Sequence, residues 1–162
     1  MTSLRGQVAL ITGASGIAAA TARLFVEQGA QVMVLDKNPE NLRILMAELP
    51  EIETLEANLL NPNTSTFAVE KALSRFGKLD ILVNVAGISG RSYGDGPVHE
   101  ASDEGWDMVM DTNAKTTFQM PSCATCSLPF HPRHPEQKTA ADEVVHQQNQ
   151  VHPRQETCKR PG

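Results

Sequence analysis

Apolar and polar positions alternate in blocks along the first 120 residues. Val8-Ala9-Leu10-Ile11 is a short unbroken apolar run, which fits a strand buried on both faces. Ile17, Ala20, Thr21, Leu24 and Gln28 then fall at helical spacing, and Gly29 is a natural helix stop. Val32-Met33-Val34-Leu35 predicts a second strand. Asn38-Pro39 predicts the start of a second helix, because asparagine caps free amides and proline suits the first turn. Leu42, Leu45, Met46 and Leu49 are that helix's expected buried stripe. Ile52 to Glu56 reads as a weaker third strand. Phe67 to Phe76 reads as a helix with Val69, Leu73 and Phe76 on one face. Leu79 to Val85 is the fourth and most apolar strand. Ser102-Asp103-Glu104 opens a further helix, with acids where the N-terminal dipole favours them. Trp106, Val109, Met110 and Asn113 follow at i, i+3, i+4 and i+7, which puts Asn113 on the apolar face. Strands alternating with helices predict an α/β domain: a Rossmann-like, doubly wound parallel sheet of about four strands.

The pattern stops near Met120. Pro121, Pro129, Pro132, Pro135, Pro153 and Pro161 follow, among histidines and glutamines, with few aliphatics. Such a stretch buries too little apolar surface to offset the entropy of ordering it. The expected organisation is therefore an α/β domain over residues 1–120 and a disordered Pro/His/Gln-rich tail over 121–162, with one short helix near 138–148.

Composition narrows the partners. The net charge of −5 disfavours nucleic acid, which wants a basic face. No apolar run approaches the roughly 20 residues of a membrane span. Met1 to Arg5 carries no charged-then-apolar leader, so a cytoplasmic location is expected. Cys123, Cys126 and Cys158 are an odd number and suggest no disulfide framework. Cys123-x-x-Cys126 with His131 and His134 offers zinc-ligand residue types. The gap to the histidines is far shorter than in finger-like sites, and no hydrophobic shell surrounds them, so no metal site is assigned.

The chemistry concentrates at three strand ends. Thr12-Gly13-Ala14-Ser15-Gly16-Ile17 joins the first strand to an alanine-rich helix. Glycines there let a pyrophosphate approach backbone amides at a helix N-terminus. Asp36 ends the second strand, where a carboxylate accepts from ribose hydroxyls and repels the extra phosphate of NADP. Asn84-Val85-Ala86-Gly87 ends the fourth. Together these resemble the short-chain dehydrogenase/reductase family over about residues 5–120. The glycine turn is one residue shorter than the family's Thr-Gly-x-x-x-Gly-x-Gly, and its third glycine is Ala18 or Ala19, depending on where the gap falls.

The resemblance implies a strand order 3-2-1-4 and oxidoreductase chemistry, hydride moving between NAD(H) and an alcohol or carbonyl. It implies cofactor contacts at Gly13, Ser15, Gly16, Ile17, Asp36, Asn58, Leu59, Asn84, Ala86 and Gly87, with NAD preferred over NADP because of Asp36. Asn58-Leu59 stands where the family has an acid beside adenine, and its amide oxygen would take that place. Asn113 matches the family's asparagine that orders a water in a proton relay, the one catalytic candidate. The family's Tyr-x-x-x-Lys pair is missing: the single tyrosine is Tyr93, and Pro97 stands four residues on. Ser122 and Ser127 lie in proline-rich sequence and are not assigned the family's serine role. The expectation is an incomplete fold, inactive as written, with Leu79–Val83 left as an apolar edge open to homo- or hetero-oligomer pairing. A shifted reading frame or alternative ending would account for the tail. The alternatives are a non-catalytic nucleotide-binding or interaction subunit that pairs with a full-length relative, and a fragment without function.

Overall fold

The structure, a computed structural model, describes residues 3–127 except 95, 96 and 98. The expected helix near 138–148, and His131, His134 and Cys158, lie outside the described residues. Four strands form one parallel sheet: β1 (Val8–Thr12), β2 (Gln31–Asp36), β3 (Glu53–Glu56) and β4 (Ile81–Asn84). Their order is β3-β2-β1-β4, so β1 is central and β4 is an edge. Leu10 stands opposite Met33 on one side and Leu82 on the other.

Strand periodicity sends alternate residues to opposite faces, and two cores result. On one face Val8, Leu10, Met33, Leu35 and Leu55 meet Ala68, Val69 and Ala72 of α3 (Thr64–Phe76), with Met120 and Ala124 beyond. On the other, Ala9, Ile11, Val32 and Val34 meet Ala18, Ala19 and Ala22 of α1 (Gly16–Glu27), and Leu42 and Leu45 of α2 (Pro39–Glu48). All five residues of β1 are buried, which is why it shows no polar alternation.

The helices run where expected, but some stripes differ. On α1 the buried face is Ala18, Ala19 and Ala22, while Ile17 and Leu24 stand 74% and 52% exposed. A helix entering straight from a tight turn lies close over β1, and methyl-sized side chains fit that gap. On α2, Met46 turns outward beside the buried Leu42 and Leu45. Asn38 caps α2 as its sequence promised, its side-chain oxygen accepting from Glu40 N at 3.0 Å.

The last helix corrects two expectations. α4 (Asp103–Met110) runs through a π turn at Asp111–Lys115 into α5 (Thr116–Ser127). Helix therefore continues seven residues past the expected boundary at 120, with Pro121 inside it. Proline forfeits one amide donor, but Met120 and Ala124 are buried against α3 and hold the segment. The supposed apolar face of α4 is largely outward: Trp106 is 66% and Met110 42% exposed. Among the described residues no helix is long and apolar enough to cross a membrane.

Candidate functional site

The C-terminal ends of the strands surround a cavity of about 300 Å³. This is the crevice where an open parallel sheet changes direction, with chain leaving β1 for β2 on one side and β4 on the other. Seven of the residues singled out from sequence line it: Gly13, Ser15, Asp36, Asn58, Leu59, Ala86 and Gly87. Gly16, Ile17, Asn84 and Asn113 are not among its lining. Ile17 points to solvent, and Asn84 lies within the β4 ladder opposite Thr12, with Val85 facing the cavity instead.

The turn after β1 forms one wall. Gly13 adopts φ +94° and donates its amide to Leu35 O at 2.7 Å. A Cβ at Gly13 would sit 3.4 Å from the Ala18 Cβ and 3.7 Å from Ala86 N, so glycine keeps this wall thin. Gly16 opens α1 at φ +51° in open space. Ser15, the residue before it, makes no side-chain cap bond. Ala18 N and Ala19 N reach back to Ser15 O at 3.1 and 3.4 Å, which leaves the Gly16 and Ile17 amides with neither an intrahelical acceptor nor a cap from that hydroxyl. That is the arrangement which suits an anion.

Asp36 forms the floor between the first two strands. Its Oδ2 accepts from Ala14 N at 2.8 Å and from Asn41 Nδ2 at 3.3 Å; its Oδ1 accepts from Asn38 N at 2.8 Å. Asn58 folds back on itself, its Oδ1 accepting from Leu60 N at 3.0 Å. The amide oxygen expected to meet adenine is therefore already engaged, and the Asn58 contribution to the wall is its amide group and backbone.

The opposite wall is the turn after β4. Thr12, 1% exposed, accepts from Val85 N at 3.0 Å and Ala86 N at 3.2 Å through its hydroxyl oxygen. The β1–β4 ladder ends at Thr12–Asn84, and the side chain carries the connection one step further. Beyond it, Asn113 reaches across from the π turn. Its Oδ1 accepts from Ile88 N at 2.8 Å, and its Nδ2 donates to Ile88 O at 2.9 Å. A Cβ on Gly87 would lie 3.0 Å from that Oδ1, so a side chain here would press on the asparagine clamp. Asn113 finds the partner that a polar residue on a helix needs, and both of its amide atoms are committed to backbone.

Sequence reasoning missed Thr12, Asn41, Thr112 and Thr116 as site residues. Thr12 carried a signal, a threonine closing an otherwise aliphatic strand. Thr112 lies on the wall from within the π turn and Thr116 from the first position after it, and π turns recur at functional sites. Among the described residues no three His, Cys, Asp or Glu side chains converge on a metal-sized point.

The short-chain dehydrogenase family model matches residues 7–129. The chain belongs to the short-chain dehydrogenase family. The match extends to the end of α5, past the boundary that composition suggested. Curated relatives agree with it. The 3-oxoacyl-acyl-carrier-protein reductase of Thermotoga maritima is 38% identical over 122 residues, which is 72% of this chain and 48% of that one. The momilactone A synthase of Oryza sativa subsp. japonica is 49% identical over 90 residues, 54% of this chain and 33% of the relative. Solved folds superpose as well. A short chain dehydrogenase from Mycobacterium smegmatis gives a TM-score of 0.70 at 27% identity, covering 76% of this chain and 52% of that chain. A glucose/ribitol dehydrogenase of the family from Brucella melitensis gives 0.71 at 30%, covering 79% and 54%. The chain spans about half the length of these matches, or less. Members of this family use nicotinamide cofactors, NAD(H) or NADP(H).

Proposed function

We propose that this chain holds the adenosine and pyrophosphate part of NAD(H), in preference to NADP(H), for an oxidoreductase acting on an alcohol or carbonyl. The observation that carries the reading is the Asp36 carboxylate at the floor of the cavity, beside the thin Gly13 wall and the open amides of α1. A negative charge there favours ribose hydroxyls over a 2′-phosphate. Gly13, Ser15, Gly16 and Ile17 would hold the pyrophosphate, with Asn58, Leu59, Asn84, Ala86 and Gly87 along the adenosine. When bound, the nicotinamide supplies the hydride donor or acceptor. The cytoplasmic setting expected from composition belongs to the same proposal.

The 162 residues do not perform the reaction alone in this reading. Hydride transfer to a carbonyl needs a proton at the oxygen. Tyr93 lies in a 3-10 turn at Gly90–Tyr93 and has Pro97, not lysine, four residues on. Asn113 is bound at both amide atoms to Ile88 and serves to position that strand end. A second reading, a non-catalytic subunit that pairs with a full-length relative, draws on β4. Ile81, Leu82 and Val83 are apolar yet only half-buried at the sheet edge, a surface suited to strand pairing.

Calorimetric titration with NADH and NADPH tests the first reading. We expect NADH to bind at least about tenfold more tightly. Heat from neither would remove the cofactor reading and favour a chain without function. Steady turnover of a secondary alcohol by the purified chain would refute the inactivity. Nucleotide binding without turnover, restored to turnover by a full-length relative, would favour the second reading.

A further inference from the structure

We infer that Asp36 is a positioning residue that latches the glycine turn, and that this duty, together with its bonds from Asn38 and Asn41, leaves it room for one ribose hydroxyl rather than two. This rests on the proposed cofactor reading for its ligand, and on geometry alone for the latch.

The turn between β1 and α1 is one residue short, so its backbone has little slack. Two successive amides are tied sideways to the end of β2: Gly13 N to Leu35 O and Ala14 N to Asp36 Oδ2. Ala14 itself is 4% exposed. Its amide sits where a lost acceptor is not readily replaced by water, and an unpaired buried donor is costly. The latch lies between two glycines at positive φ, Gly13 and Gly16, the two joints about which a freed turn would swing. With Ala14 N held toward β2, the amides that follow it, at the start of α1, are the ones left to face a phosphate.

The same carboxylate also receives Asn38 N from the β2–α2 loop and Asn41 Nδ2 from α2. A carboxylate offers about four acceptor positions. Three are taken, two on Oδ2 and one on Oδ1. The remaining position, on Oδ1, accepts one hydroxyl.

The consequence is a coupling between specificity and shape. Removing the carboxylate to admit a 2′-phosphate also unlatches the turn that grips the pyrophosphate. Asp36→Ala should therefore weaken both dinucleotides. Asp36→Asn can place its carbonyl oxygen at Ala14 N, keeping the latch while discarding the charge and the bond from Asn38 N.

Hydrogen exchange on the full ¹⁵N-labelled chain without nucleotide reads the latch directly. The Ala14 amide should exchange at least about tenfold faster in Asp36→Ala and within about threefold of the parent in Asp36→Asn. The amides of Val8–Ile11, read in the same spectra, should stay protected in both variants and so report an intact sheet. Calorimetry with NADH and NADPH should then show Asp36→Ala weakened about tenfold or more toward both, and Asp36→Asn shifted toward NADPH. Equal protection of Ala14 in parent and Asp36→Ala would overturn the latch. So would an Asp36→Ala chain that binds NADPH as tightly as the parent binds NADH. If the parent binds neither dinucleotide, the cofactor reading fails by itself, and the exchange comparison still decides the latch.

Discussion

The two turns that face each other across the cavity are held by different chemistry. The turn after β1 is tied to its neighbour by a carboxylate, through Ala14 N and Asp36. The turn after β4 is tied by neutral groups, the Thr12 hydroxyl and the Asn113 amide. Both pins extend a parallel ladder past its last paired residue, at the strand ends where neighbouring chains diverge. The charged pin stands where a polyhydroxylated ligand would compete for it. Of the neutral pins, Thr12 is buried behind the wall, where an unpaired charge would have no counter-ion, and Asn113 is exposed at its outer side. A single fold thus uses one kind of group to meet a ligand and another to hold the frame.

That contrast can be broken from the neutral side first. Thr12→Val keeps the shape but leaves two amides without their acceptor at a buried position. It should cost about 3 kcal/mol and lower the thermal midpoint by about 10 °C. Thr12→Ser should recover most of the loss. A melt of Thr12→Val that matches the parent would show that the hydroxyl is not what joins β4 to β1. Gly13→Ala puts a side chain at φ +94°, and should cost about 1–3 kcal/mol. By thickening the wall it should also weaken any nucleotide more than it lowers the melting point suggests. Asn113→Ala frees both polar atoms of Ile88, but the asparagine is exposed and water can replace it. The expected loss is therefore smaller, about 1 kcal/mol by denaturant unfolding.

The smallest effect concerns a charged pin that does not line the cavity. At the far end of β1, Asp80 Oδ2 accepts from Val8 N at 2.8 Å and pairs with Lys78 at 2.7 Å. The Lys78 hydrogen bond, aided by the Val8 amide and opposed by partial burial, holds the Asp80 carboxyl below the usual carboxylate range. A lowered folded pKa means the contribution is present above the unfolded carboxylate value. It is lost as pH falls through the lowered one. Melts taken downward through the carboxylate range should therefore show a shallower acid decline in Asp80→Asn than in the parent. Identical acid limbs would remove Asp80 from the account.

Much of the frame was legible because it follows from local rules. Unbroken apolar runs gave the parallel strands, Asn38-Pro39 gave the start of α2, and the glycine spacing gave the turn. The orientation of α1 was not legible, since Ile17 and Leu24 look like core residues until the helix's closeness to β1 is known. The run of α5 past Met120 was not legible, because proline and sparse aliphatics dominate the composition there. Met120 and Ala124, with Cys123 beside them, pack α5 against the core that α3 lines. Of the site, the glycines and Asp36 declare themselves through residue type. The partners of Asp36 and Asn113 do not, because Ala14 and Ile88 lie 22 and 25 residues away and contribute only backbone. Gly105 is the extreme case. A Cβ there would run into the carbonyl of Tyr93, yet nothing near Gly105 in the chain marks it out from an ordinary helix glycine.

Trp106, the single indole of the chain, stands two-thirds in water on the outer side of α4. Its ultraviolet emission should already lie at long wavelength in the folded molecule, and melting of the two cores should barely move it. The residue is a poor reporter of unfolding and a good one of contact: a shift toward the blue on mixing with another macromolecule would mark the moment α4 is covered.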